Sequence, residues 1–150
     1  MIYWFTGQPG HGKTVLANLL KINLESKLNG KNVMHVDGDD LREIFNNKDY
    51  SKEGRIRNIT FAQGLAKFLH KKNMDVVVSL VAPYKEVRES FKSDMGSELV
   101  EIYVHTEELR GREQNHVSDY EKPTENFIDI DTTNVEPVES LLEIKNSLGI

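Results

Sequence analysis

Short apolar runs alternate with longer amphipathic stretches along this chain of 150 residues. The run DVVVSLV is apolar at almost every position, which is typical of a central parallel strand buried on both faces. The apolar runs together predict five strands, at residues 2–6, 32–37, 75–81, 99–106 and 127–131. Helical periodicity between them predicts helices at residues 13–28, 39–46, 52–71, 84–94, 107–114 and 137–148.

Signals at the ends of these helices agree with the predicted order of elements. Asn29-Gly30 is typical of a helix end, and Pro137 is typical of the first turn of a helix. One face of the third predicted helix carries the apolar residues Ile56, Ile59, Ala62, Leu65, Ala66 and Leu69. Five strands separated by helices, without repeats, predict one three-layer α/β domain over residues 1–150 with a mostly parallel five-stranded sheet.

The segment GQPGHGKT at residues 7–14 lies between the first predicted strand and the first predicted helix. Gly7, four residues and then Gly12-Lys13-Thr14 match the phosphate-loop pattern G-x-x-x-x-G-K-[ST], and Gly10 is one of the four. An ordinary glycine-rich turn is the alternative, but the strand before the segment and the amphipathic run after it favour a phosphate loop. The predicted fold is therefore of the P-loop nucleoside-triphosphate hydrolase type.

Each residue type in this loop suits the binding of a nucleoside triphosphate. Backbone N–H groups of residues 10–14 can point at an anion, and the glycines allow its close approach. Lys13 would bring positive charge to the β- and γ-phosphates of ATP, and the Thr14 hydroxyl would ligate Mg²⁺. We expect His11 and Val15 beside the nucleotide as well, with His11 as a solvent-facing spacer.

Acidic residues follow the second predicted strand, in the segment VDGDDLR. Asp37 and Asp39 would lie at the carboxyl end of this strand, where parallel α/β sheets bind ligands. Either carboxylate could orient an acceptor hydroxyl or a magnesium-bound water, and Arg42 could hold an anionic group of the acceptor. The alternative is that Asp39 or Asp40 only caps the short helix. A guanine-specifying N-K-x-D motif is absent, which favours a small-molecule kinase over a GTPase.

Composition narrows the class of protein further. With 38% apolar and 29% charged residues, the chain is typical of a soluble globular protein, and no apolar run approaches the ~20 residues that span a bilayer. A chain without cysteine has neither disulfides nor thiolate metal sites, and together with the lack of a signal-peptide pattern this indicates a cytoplasmic protein. A net charge of -5 argues against a nucleic-acid partner. The histidine spacing indicates no transition-metal site.

Several motifs in the same order resemble those of the adenylylsulfate kinase (APS kinase) family over nearly the whole chain. GQPGHGKT resembles the phosphate loop of the family, DGDDLR its D-G-D-N-[VL]-R, and YSKEGRIRNI its F-S-x-x-D-R-x-E-N-I-R-R. SLVAPYKEVR resembles I-S-P-Y-x-x-x-R, and LVEIYVHT and YEKPTENFIDIDT resemble the later motifs V-E-V-[FY]-V-D-T and Y-E-x-P-E-x-x-[LI]-x-[LI]-D-T.

The resemblance implies an ATP- and Mg²⁺-dependent phosphotransferase that acts in sulfate assimilation. It would phosphorylate the 3′-hydroxyl of adenylylsulfate (APS) to give PAPS and ADP, with Lys13 and either Asp37 or Asp39 as catalytic residues. The residues that would surround the acceptor are Asp37, Asp39, Arg42, Arg55, Asn58, Pro83 and Tyr84. Another nucleotide, a sugar or a nucleic-acid end stays open as the acceptor, as does a non-catalytic ATP- or ADP-binding module. A homodimer is compatible with the sequence.

The chain departs from the family pattern at two places. Ala82 stands where the family has a serine that is phosphorylated in some members, so that modification is excluded here. EELRGREQNHVSD, at residues 107–119, stands where the family has a longer lid, and it lacks the lid lysine and the phenylalanine that stacks on the APS adenine. Arg110 or Arg112 would replace the lid arginine, and we assign Arg112 to the nucleotide. The acceptor pocket is therefore expected to be loose.

Overall fold

The computed structural model describes residues 1–27 and 32–150. Its five strands are β1 Ile2–Thr6, β2 Val33–Asp37, β3 Asp75–Ser79, β4 Leu99–His105 and β5 Phe127–Asp131. They form one sheet in the order β2-β3-β1-β4-β5, and every neighbouring pair is parallel. The predicted α/β fold with a parallel five-stranded sheet is confirmed.

The helices are α1 Lys13–Lys27, α2 Gly38–Ile44, α3 Lys52–Lys71, α4 Lys85–Met95 and α5 Pro137–Leu148. Short 3-10 helices cover Gly96–Glu98 and Glu113–Asn115. The predicted helix end at Asn29-Gly30 lies outside the described residues. Within the described ranges, none of the helices has both the length and the apolar composition to cross a membrane.

The core lies on both faces of the sheet, because β1 and β3 occupy its middle and are buried on both sides. Trp4 packs with α3 and α4 on one face, whereas Phe5 packs with α1 and α5 on the other. This alternation follows from the period of two residues in a strand. The apolar face predicted for α3 is buried at Ile59, Ala62 and Ala66, but Leu65 is exposed.

The helix predicted at residues 107–114 is wrong, because this stretch is irregular up to the 3-10 helix at Glu113–Asn115. Gly111 has a positive φ of 77°, which interrupts a helix. Arg110 also reaches outward, donating hydrogen bonds to Glu108 and to Thr132 O, 2.8 Å away. The bond to Thr132, which is far away in sequence, takes the place of the local bonds of a helix.

The strand predicted at residues 75–81 ends earlier, at Ser79. The Thr6 hydroxyl at the end of β1 donates to Val81 O at 2.8 Å, and Ala82 then adopts a left-handed φ of 40°. The chain therefore turns across the carboxyl edge of the sheet. This turn, residues 80–84, forms one side of the site described next.

Candidate functional site

The phosphate loop, residues 7–14, joins β1 to α1 at the carboxyl edge of the sheet. Gly7 has a φ of 148°, and a Cβ atom there would lie 2.1 Å from Val104 O, so only glycine fits between the loop and β4. Gly10 and Gly12 also have positive φ angles, of 84° and 95°. The motif thus folds as a tight loop whose conformation requires its glycines.

Lys13 is the first residue of α1 and its side chain is buried under the loop. Its Nζ donates a hydrogen bond to Gln8 O at 2.8 Å. Burial lowers the pKa of Lys13 to about 8, although the carboxylate of Asp37 opposes the shift. Because this cation is poorly solvated, nearby phosphate oxygens would stabilise its charged form.

Asp37 connects α2 to the phosphate loop. Its Oδ2 accepts hydrogen bonds from Thr14 Oγ1 at 2.9 Å and from Ser79 Oγ at 2.6 Å, while its Oδ1 accepts from Asp39 N at 2.9 Å. Burial raises the pKa of Asp37, but the hydrogen bonds from Ser79, the Asp39 amide and Thr14 outweigh it and hold the pKa below its usual value. Asp37 is thus an ionised acceptor fixed on both oxygens.

The alternative that Asp39 or Asp40 caps the short helix is wrong. The N-cap of α2 is Asp37, whose side chain accepts from the backbone of Asp39. Asp39 lies in the first turn, and the structure gives its carboxylate no hydrogen-bond partner among the described residues. The two acids therefore differ: Asp37 holds structure together, and the carboxylate of Asp39 is available to a ligand.

Across the cavity from the phosphate loop, α2 and α3 present a wall of arginine and amide groups. The Arg42 guanidinium donates to Asp49 O at 3.0 Å and lies 4.1 Å from the centroid of the Tyr50 ring. Arg55 Nε donates to Tyr50 O at 2.9 Å. Asn58 Nδ2 donates to Gly38 O at 3.1 Å, and its buried Oδ1 has no partner in the described part of the chain.

One cavity of about 290 Å³ brings the phosphate loop and this wall together. The predicted site residues that line it are Gly10, Gly12, Lys13, Thr14, Val15, Asp37, Asp39, Arg42, Arg55, Asn58, Pro83 and Arg112. Of the other predicted residues, Gly7 packs against β4, and His11 and Tyr84 are buried outside the cavity lining. Tyr50 and Ser79 line the cavity and were not predicted. The sequence signal that could have identified Tyr50 is its position as an aromatic residue directly before Ser51, the cap of α3.

A second cavity, of about 470 Å³, lies on the other side of Gly12 and Val15. Arg110 and Glu108 line it together with the chain between β5 and α5, from Thr132 to Pro137. The two candidates to replace the lid arginine are thus separated. Arg110 faces the second cavity, whereas Arg112 lies against Gly10 in the first.

The expectation that His11 is a solvent-facing spacer is wrong, because its ring is buried. It packs edge-to-face with His116, with ring centroids 5.1 Å apart, and Thr132 Oγ1 donates to its carbonyl oxygen. Burial, and then the nearby His116 and Lys13, lower the pKa of His11 to about 4. The sequence position alone does not show that the residues after β4 fold back over the loop.

His11 is expected to make the protein sensitive to acid. Its folded pKa of about 4 is below the ~6.5 of an unfolded histidine, so the unfolded state binds the proton first. The free energy of unfolding therefore has its full value, as far as His11 is concerned, above pH ~6.5, and it decreases as the pH falls toward 4. His11→Phe keeps an aromatic ring and should flatten the pH dependence of the free energy of unfolding, measured by urea titration at pH 7, 6 and 5. If the free energy of unfolding changed with pH equally in both proteins, the assignment to His11 would be contradicted.

A phosphate loop after the first strand of a parallel sheet, facing a wall of acidic, arginine and amide groups across one cavity, defines the class of P-loop kinases. The family described as adenylylsulphate kinase matches residues 1–145. The chain belongs to this family.

Individual relatives match to different extents. Cytidine diphosphoramidate kinase of Campylobacter jejuni is 33% identical over 97% of this chain and 86% of its own length. A probable adenylyl-sulfate kinase of Pyrococcus abyssi is 36% identical over 68% of this chain, and the match spans 58% of that enzyme. The structure of the Mycobacterium tuberculosis APS kinase CysC in complex with AMPPNP and APS has a TM-score of 0.83 at 23% identity, covering 99% and 97% of the two chains.

Proposed function

We propose that the protein transfers the γ-phosphoryl group of ATP to a hydroxyl group of a nucleotide, with the 3′-hydroxyl of adenylylsulfate as the leading acceptor. The observation that carries this proposal is the single cavity in which Lys13 and Thr14 face Asp39, Arg42 and Asn58. A protein that only bound a nucleotide would need the loop but not the opposite wall. Family membership supports the same reaction class.

On the donor side, the backbone amides of the phosphate loop and Lys13 would hold the phosphates. The hydroxyl of Thr14 and the carboxylate of Asp37 are oxygen donors of the kind that Mg²⁺ prefers, and they lie 2.9 Å apart. They would hold Mg²⁺, which neutralises charge on the phosphates when bound. We place the base of ATP in the second cavity beside Arg110, because that cavity adjoins Gly12 and Val15. Arg112 would then face the phosphates.

On the acceptor side, Asp39 would accept the proton of the attacking hydroxyl. Asp39 lines the cavity and its carboxylate has no hydrogen bond among the described residues, whereas the Asp37 carboxylate accepts from Thr14 and Ser79 and would face Mg²⁺. Arg42 and Arg55 would face the anionic groups of the acceptor. Asn58 Oδ1, buried without a partner in the described part of the chain, would accept from an acceptor hydroxyl or amine.

Cytidine diphosphoramidate is a second candidate acceptor, favoured by a specific observation. The relative with that activity in its name aligns with 97% of this chain, including the shortened segment after β4, whereas the Pyrococcus adenylyl-sulfate kinase aligns with 68%. A single-ring base also loses less stacking than adenine when the lid aromatic is missing.

A coupled ADP-release assay with ATP and Mg²⁺ tests these candidates. The acceptors are APS, cytidine diphosphoramidate, gluconate and an oligonucleotide with a free 5′-hydroxyl. We expect ADP release with APS, and a higher kcat/KM for the cytidine compound would reassign the acceptor. ATP binding without turnover on any acceptor would favour a non-catalytic module.

The homodimer, the cytoplasmic location and the role in sulfate assimilation stay predictions.

Tyr50 is expected to support the base of the acceptor. Its ring lines the cavity and is 62% exposed, and stacking of a base on an aromatic ring is worth ~1–3 kcal/mol. Tyr50→Ala should therefore raise the KM for the nucleotide acceptor about tenfold or more while the KM for ATP changes little. Phe68→Ala, at an exposed ring of α3 outside the cavity, is the matched control. Equal changes in both KM values would contradict a stacking role.

A further inference from the structure

Residues 116–121, here called the strap, lie across the carboxyl edge of the sheet in place of a longer lid. At one end the strap is attached to the phosphate loop through the side chain of Gln8. Gln8 Nε2 donates to Val117 O at 2.8 Å, and Val117 N donates to Gln8 Oε1 at 2.8 Å. Val117 is 6% exposed, and His116 Nε2 donates to Pro9 O at 3.2 Å.

The other end of the strap is attached to residues 80–84, called the acceptor loop because most of them line the side of the cavity proposed to hold the acceptor. Glu121 N donates to Pro83 O at 2.8 Å, and the Tyr120 hydroxyl lies 2.8 Å from Thr6 Oγ1. The buried Arg88 guanidinium donates to both Ala82 O and Glu121 O. The strap therefore connects the donor side of the cavity to its acceptor side.

The contact between Gln8 and Val117 depends on the chemistry of a primary amide. The primary amide of glutamine carries both an N–H donor and a carbonyl acceptor, so it can bond to both the N–H and the C=O of one residue, as a neighbouring strand would. The backbone carbonyl of Gln8 accepts the hydrogen bond from Lys13 Nζ. Gln8 therefore holds the strap with its side chain and Lys13 with its backbone.

We propose that Gln8 is a positioning residue that fastens the strap, so that the phosphate loop and the acceptor loop are held at a fixed separation. The proposal rests on the proposed phosphoryl transfer, for which the distance between donor and acceptor decides the rate. A displacement of about 1 Å can cost on the order of 10²-fold in such a reaction. In this protein a short strap with bonds at both ends does the positioning that a mobile lid would otherwise do.

The first test measures the strap directly, by hydrogen exchange of the Val117 amide. Gln8→Ala removes both hydrogen bonds to Val117 and should speed this exchange about tenfold or more. Gln8→Glu keeps an acceptor for Val117 N but has no donor for Val117 O, so an intermediate effect is expected. Gln114→Ala is the matched control, because Gln114 lies just before the strap, is exposed and bonds only to Gly111 O in the described structure.

The second test separates positioning from a merely structural role. With the best acceptor, Gln8→Ala should lower kcat for transfer about tenfold or more, while the KM for ATP changes less than threefold. ATP hydrolysis without acceptor should fall less than transfer does, because water needs no fixed acceptor loop. Gln114→Ala should match the wild type in both reactions.

The outcomes distinguish this inference from the proposed function. If the exchange rate of the Val117 amide were unchanged in Gln8→Ala, the inference that Gln8 fastens the strap would be wrong, whatever the activity. Faster exchange with an unchanged kcat for transfer would also overturn it, since the strap would then have no part in the reaction. Wild-type protein that released no ADP with any acceptor would instead overturn the proposed function.

Discussion

Replacing Lys13 by alanine is expected to lower the rate of phosphoryl transfer on the order of 10²–10³-fold, the usual cost of losing one preorganised charge-stabilising contact. The reason is the position of Nζ, which lies buried beneath the phosphate loop in the cavity that would hold the phosphates. Water cannot replace the missing charge there at comparable strength, because the buried site has a lower effective dielectric constant than the solvent.

The fold of this variant should stay intact. Lys13 makes a hydrogen bond to Gln8 O, but its charged form is poorly solvated, as its lowered pKa of about 8 shows. Lys13→Ala therefore loses one hydrogen bond but also removes the free-energy cost of burying a charged group. Thermal unfolding by circular dichroism checks the fold, and ADP release checks the rate. Lys21→Ala, at a lysine of the same helix that pairs with Glu25, is the control. Wild-type turnover by Lys13→Ala would show that the site is assigned wrongly.

Asp39→Asn is expected to lower turnover about 10²–10⁴-fold, the range for loss of a general acid–base group. Asparagine keeps the size of the side chain but cannot accept the proton of an attacking hydroxyl. Because Asp37 is the cap of α2, the substitution at Asp39 leaves the cap in place. The free energy of unfolding should therefore change by less than about 0.5 kcal/mol, as for other surface substitutions.

Asp40→Asn is the matched control, since Asp40 is the next residue in the same helical turn and does not line the cavity. It carries the same change of charge in the same turn of α2. Both variants are compared in ADP release and in urea unfolding. Equal losses of turnover in the two variants would mean that general electrostatics, and not the Asp39 carboxylate, accounts for the effect.

The sheet could be predicted well because its signals are local. The runs at β1, β3 and β5 are apolar or alternate, and turn or loop signals bound them, so all five strands were found within two residues. The phosphate loop is also local, since its glycines, Lys13 and Thr14 lie within eight consecutive positions. Elements of this kind depend on the residues that form them more than on distant contacts.

The region after β4 was predicted less well because its conformation depends on distant residues. Residues 107–114 have no strong helical bonds of their own, and Arg110 and Glu108 bond instead to the chain around Thr132 and Asn134. His11 was misjudged for the same reason, because the ring that buries it belongs to His116, more than a hundred positions away. No pattern of local spacing contains that information.

The wall of arginine and amide groups on α2 and α3 could be predicted in part. Resemblance to the family indicated Arg42, Arg55 and Asn58, and the structure places all three on the cavity. It did not indicate which acid caps α2, because Asp37, Asp39 and Asp40 are all good capping residues. The backbone decides this: Asp37 has an extended conformation and its Oδ1 reaches the Asp39 amide.

By itself, the sequence determined the α/β fold, the phosphate loop and the family, since each depends on apolar periodicity or on residues close together in the chain. Only the tertiary structure decided the contacts of Asp37 with Thr14 and Ser79, the burial of His11 and the attachment of the strap to Gln8 and Pro83. These features depend on hydrogen bonds and packing between residues far apart in sequence. Such contacts form only when the parallel sheet brings the carboxyl ends of its strands to one edge, and short-range patterns do not encode them.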